Sequence, residues 1–134
     1  MFTTYPYNTS DYEPPAPVLR VAISAPRPDG VSSVEEVWGL CDTGADLTCV
    51  PRSIAEKLGL LEVDEVRVAP FDGPPQRRPL YAAHLKIAHV PGRIVRVLCL
   101  NREETILGRD LLNVLRLDLD GPMQTLRLQP PEPS

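Results

Sequence analysis

The sequence predicts a mainly β domain, closed or nearly closed into a barrel, with two short helices. Three observations predict it. Short runs of alternating apolar and polar residues follow one another along the chain, as half-buried strands require. Turns containing Gly or Pro separate these runs. Only two stretches, both brief, carry a helical signature. Strands with so little helix must bury their apolar faces on one another, and closure removes the edges such a sheet would otherwise expose. The 134 residues suit one domain of this kind.

Residues 1–17 end in EPPAP and predict a Pro-rich flexible N-terminal tail. The folded domain is expected over 18–129. VLRVAIS (18–24) sets Leu19, Val21 and Ile23 on one face against Arg20, Ala22 and Ser24, the pattern of a half-buried strand. PRPDG turns the chain, and Val34 to Cys41 gives the next strand, with Trp38 and Leu40 as core candidates. DLTCV is again β-like. In PRSIAEKLGL, Pro51 suits a first helical position and Gly59 a C-terminal cap, while Ile54 and Leu58 give one apolar face. VDEVRVAPFDGPPQRRPLYAAHLKIAHV reads as a long hairpin. Pro74 and Pro75 exclude regular pairing at its tip, which should project and move. PGRIVRVLCL adds a strand, and ILGRDLLNVL a strand, a glycine turn and a short helix. LRLDL and TLRLQ flank Asp120-Gly121-Pro122 as a closing hairpin. Residues 130–134, again Pro-rich, predict a C-terminal tail.

Composition narrows the function. A net charge of -4, with arginines scattered rather than clustered, argues against nucleic acid as a partner. Nothing approaches the roughly 20 apolar residues that span a bilayer, and the N-terminus lacks the basic start and apolar run of a secretory signal. A cytoplasmic protein without membrane contact is expected. Cys41, Cys49 and Cys99 show no C-x-x-C spacing and read as small buried thiols of a reducing compartment, although Cys41's place beside Asp42 could make it redox-sensitive. His84 and His89, five apart in a predicted strand, face opposite sides and cannot share a metal. No cofactor and no metal are expected.

One stretch resists a purely structural reading. LCDTGADLTCVP places Asp42 at the end of an apolar strand, immediately before Thr43-Gly44. A carboxylate there must be paired, hydrogen-bonded or presented to solvent, and the tight turn after it favours presentation. Alone, such an aspartate caps a turn. A second motif, Ile106-Leu107-Gly108 running into Arg109-Asp110, changes the odds. Together DTGAD (42–46) and ILGRD (106–110) resemble the active-site loop and supporting strand-turn-helix of the retropepsin-like aspartic proteases, and the glycine-tipped hairpin between them falls where that family carries its flap. The resemblance covers about residues 18–129. The continuation past ILGRD into LRLDLDGPMQTLRL is similar to single-domain cellular and bacterial members.

The resemblance implies an acid-protease barrel and an aspartic endopeptidase. Asp42, Thr43 and Gly44 would form the catalytic loop, with Thr43 locking two such loops together. Ala45, Asp46, Phe71, Asp72, Gly73 and Ile106 would contact the substrate. Gly108 and Arg109 would support the site, Arg109 pairing with Asp46. Chemistry adds one requirement. Hydrolysis by carboxylates alone needs two, one ionised and one protonated, and the chain has a single Asp-Thr-Gly. The second must come from another copy, so an active enzyme is a homodimer holding an extended peptide. Ala45 lacks the hydroxyl that favours an ionised carboxylate in pepsin-like enzymes, which predicts a mildly acidic optimum. The rival reading is a catalytically weak dimerisation or peptide-binding module; another is a domain that cuts only its own tails.

Overall fold

The computed structural model describes residues 2–27, 29–30, 33–69 and 73–129. The fold is mostly β, with ten strands and two short helices among the described residues. In chain order these are β1 (Thr3–Pro6), β2 (Val18–Ser24), β3 (Val34–Cys41), β4 (Cys49–Pro51), α1 (Arg52–Leu58), β5 (Glu62–Val68), β6 (Gln76–Lys86), β7 (Arg93–Leu100), β8 (Thr105–Leu107), α2 (Arg109–Leu112), β9 (Leu117–Asp120) and β10 (Thr125–Leu128). Seven strands form one sheet in the order β2-β3-β8-β4-β7-β6-β5, and a further pairing of β2 with β6 closes six of them into a barrel. The expected closed barrel is present.

The barrel's interior follows from the alternation in the sequence. On β2, Leu19, Val21 and Ile23 are fully buried, joined in one core by Val50, Val97, Leu85 and Leu107. Each such side chain contributes about 1.5–3 kcal/mol relative to an exposed one. α1 lies against this core through Ala55 and Leu58. Pro51 is the residue before the helix rather than its first, ending β4 in extended conformation, and Gly59 stops the helix at φ +66°, a left-handed conformation that favours glycine.

β8 determines where the chemistry can sit. It pairs parallel with β3 and antiparallel with β4, so a segment from late in the chain is inserted between the strands that flank the Asp42 loop. The β5–β6 hairpin is present, with Val68 opposite Gln76 as its last pair. Its tip residues Phe71 and Asp72 lie outside the described residues, while Gly73 is exposed at φ +121°.

Three expectations need correction. Residues 3–6 are not a loose tail: β1 pairs with β10, which pairs with β9, making a three-stranded sheet apart from the barrel. Tyr5 and Tyr7 pack against the core, and that burial outweighs the flexibility suggested by polar composition. Neither Trp38 nor Leu40 belongs to the core cluster. Trp38 stays 46% exposed on the outer side of β3, edge-on to Tyr5 at 5.7 Å and under the Arg20 guanidinium at 5.3 Å. His89 falls in the turn after β6 rather than in a strand. Residues 130–134 lie outside the described residues. Among the described residues, no helix is long and apolar enough to cross a membrane.

Candidate active site

Asp42 follows the last residue of β3, and its amide donates to the Leu107 carbonyl at 3.0 Å, continuing the β3–β8 ladder. The chain then turns sharply. The Ala45 amide donates to the Asp42 carbonyl at 3.1 Å, and the Gly44 amide donates to Asp42 Oδ1 at 2.9 Å. The carboxylate is half-buried, while Thr43 and Gly44 are exposed. Among the described residues the Thr43 hydroxyl has no hydrogen-bond partner. Asp42 is therefore fixed by main chain on one oxygen and open toward solvent, as the turn in the sequence suggests.

ILGRD lies beneath this loop. Arg109 donates from its amide to the Ala45 carbonyl at 2.9 Å and from Nη1 to the Thr43 carbonyl at 2.6 Å, and its Nη2 pairs with Asp46. The Asp46 side chain is 81% exposed, so that ion pair contributes little by itself, and the bonds to loop carbonyls hold the turn more firmly. Gly108 is needed for close approach. A Cβ there would lie 2.6 Å from the Leu47 carbonyl carbon and 3.0 Å from the Ala45 oxygen, both main-chain atoms that cannot swing aside. Ile106 is buried opposite Leu40, two residues before Asp42.

Of the residues singled out in the sequence, the structure brings together Asp42, Thr43, Gly44, Ala45, Asp46, Ile106, Gly108 and Arg109. Gly73 sits at the far end of the β5–β6 hairpin, and Phe71 and Asp72 lie outside the described residues.

Two further residues hold the site, and the sequence reading missed both. Thr48 is fully buried. Its hydroxyl donates to Asp110 Oδ1 at 2.8 Å and accepts the Gly108 amide at 3.1 Å, while its own amide donates to Asp110 Oδ2 at 3.1 Å. This ring of bonds fastens the end of the Asp42 loop to the start of α2. The inward position of Thr48 in DLTCV was a usable signal, because a buried hydroxyl must find partners.

The neighbouring thiols are protonated at neutral pH. Burial pushes Cys41 up to about 12, and burial followed by the nearby Asp110 carboxylate pushes Cys49 up to about 11. The thiolate is the reactive form, so Cys41 is poorly suited to a redox role despite its place beside Asp42. Among the described residues, no three His, Cys, Asp or Glu are grouped so as to hold a metal ion.

A strand-end Asp-Thr-Gly loop, carried by a closed barrel and braced by an inserted strand-glycine-helix, defines the aspartic protease class. Residues 29–111 match the family model described as Aspartyl protease, and the chain belongs to that family. Among solved structures it is similar to a retropepsin-like aspartic protease from Rickettsia conorii, at 15% identity and TM-score 0.63, covering 96% of this chain and 89% of that one. It is also similar to a foamy viral protease-reverse transcriptase, at 16% identity and TM-score 0.53, covering 88% of this chain but only 13% of the viral one. The fold is thus retropepsin-like. Comparison with curated proteins gives no match.

Proposed function

We propose that the protein is a homodimeric aspartic endopeptidase. The observation that carries this reading is the Asp42 loop: one carboxylate, held by main-chain donation at 2.9 Å and facing outward, in a chain with no second Asp-Thr-Gly. Two copies meeting at these loops supply two carboxylates that share one proton, since both cannot be ionised at close range. The ionised carboxylate takes a proton from water as the water oxygen attacks the peptide carbonyl carbon. The protonated one gives its proton to the carbonyl oxygen. Collapse breaks the C–N bond, and a proton passes to the departing amine. Thr43, exposed and with no partner for its hydroxyl among the described residues, would bond across the two-fold axis. Ile106 would border the scissile bond, and the β5–β6 hairpin would close over the peptide.

The test is cleavage of a diverse peptide pool at about pH 4 to 6, read by mass spectrometry at a protein concentration where sedimentation shows a dimer. Asp42→Asn runs beside it. Cuts made by the wild type and absent in the variant establish the peptidase. No cuts from a confirmed dimer would instead indicate a peptide-binding module. The pH–rate profile should peak in the mildly acidic range, because Ala45 brings no hydroxyl to the carboxylate.

A further inference from the structure

An apolar row leads away from Asp42 on the side of the sheet that the core does not use. Leu40 is the cross-strand partner of Ile106, Ile106 of Cys49, Cys49 of Leu98, and Leu98 of Leu80. Cross-strand partners share a face. None of these five belongs to the core cluster, although Ile106, Cys49 and Leu80 are buried. Beyond Leu80, the two-residue period of β6 brings Arg78 and Gln76 to the same face. There a cavity of about 240 Å³ opens, lined by Val68, Leu98 and Leu100 with Gln76, Arg78 and Arg52.

Among the described residues, the guanidiniums of this cavity have no ion-pair partner. There Arg78 donates to the neutral Gln76 Oε1, at 2.7 Å. None of the ion pairs among the described residues includes Arg52 or Arg78, and no carboxylate of a described residue lines the cavity. Neighbouring arginines differ: Arg77, on the other face of β6, reaches Glu65 at 3.5 Å, and Arg96 reaches Asp64 at 2.7 Å. Two guanidiniums above an apolar floor suit a carboxylate carried on a short aliphatic stem.

We propose that this cavity is a specificity pocket that receives an acidic side chain of the peptide substrate, Asp or Glu, held by Arg52 and Arg78. The proposal rests on the endopeptidase reading. Leu98 stands two strand spacings from Ile106, about 10 Å, and an extended peptide advances about 3.3 Å per residue, which places the acidic residue about three positions from the scissile bond.

The experiment uses the full chain and peptides carrying Glu, Gln or Leu at each of the four positions on either side of a cut site. The wild type should prefer Glu over Gln about tenfold in kcat/KM at a position about three residues from the bond. The Arg52→Gln/Arg78→Gln variant should bring that ratio close to one, and Arg52→Lys/Arg78→Lys should restore part of it. A wild type with no preference, or a ratio unchanged in the Gln variant, overturns the pocket. Anisotropy of fluorescein-labelled Glu and Gln peptides on Asp42→Asn reads binding without turnover and should show the same preference. Cleavage without charge preference removes the pocket and leaves the peptidase. Preference in binding with no cleavage by the wild type does the reverse.

Discussion

Thr48 concentrates the support of the Asp42 loop in one hydroxyl, donating to Asp110 and accepting from Gly108. Thr48→Val keeps the shape but leaves the buried Gly108 amide without its acceptor, while Asp110 loses the hydroxyl and keeps the bond from the residue 48 amide. A loss of about 1–3 kcal/mol in unfolding free energy is expected, together with reduced cleavage, while Thr48→Ser stays near wild type in both. Denaturant unfolding beside a peptide assay checks this, and a Val variant as stable as the wild type would show that the ring is dispensable. Residues at this scale were unevenly legible. Asp42, Thr43 and Gly44 announce themselves because their geometry is set within one turn. Thr48 and Asp110 meet across 62 positions, and no periodicity signals that a hydroxyl and a carboxylate so far apart will share a bond. Asp46 and Arg109 do meet as the motif implies, yet the more direct support comes from Arg109 on main-chain carbonyls, which side-chain identity alone does not reveal.

At the scale of elements, β1 is the instructive case. Thr3-Thr4-Tyr5-Pro6 is polar and ends in proline, so composition suggests a tail. As an edge strand it tolerates Pro6 at its end, and burial of Tyr5 and Tyr7 supplies what composition hides. Removing residues 2–7 should bare β10 and uncover Leu126 and Leu128, which are fully buried. The truncated chain should lose about 2 kcal/mol or more and scatter light on standing, because an unpaired strand invites pairing with another molecule. A truncation with unchanged melting and no scatter would reduce β1 to ornament. Strands β2, β3 and β7 and the closing hairpin were readable from alternation. The three-residue β8 was readable only as an apolar run, and its insertion between β3 and β4 is a long-range parallel pairing that local pattern does not encode.

For the molecule as a whole, the buried thiols set an alkaline limit. An unfolded chain ionises its cysteines near the ordinary value of 9.0, whereas burial holds Cys41 up to about 12 and Cys49 up to about 11. Burial raises Cys99 as well. Above the ordinary value the unfolded state has lost protons that the folded state keeps. Stability is therefore complete below about pH 9 and declines as pH rises toward the folded values. Melting temperatures between about pH 8 and 11 should fall, and less steeply in Cys41→Ala; a flat profile would contradict the burial of these groups.

The β1–β10 pairing also has a mechanical meaning. Thr3 lies opposite Leu128 and Pro6 opposite Thr125, so both chain ends leave the ladder from the same side. The hydrogen bonds of an antiparallel pair run across the strands. Tension applied to the two ends therefore loads one rung at a time, like a zipper, instead of shearing all of them together. Under an unfolding motor or in an optical trap, this small sheet should peel at low force while the closed barrel, and the Asp42 loop on it, still resists.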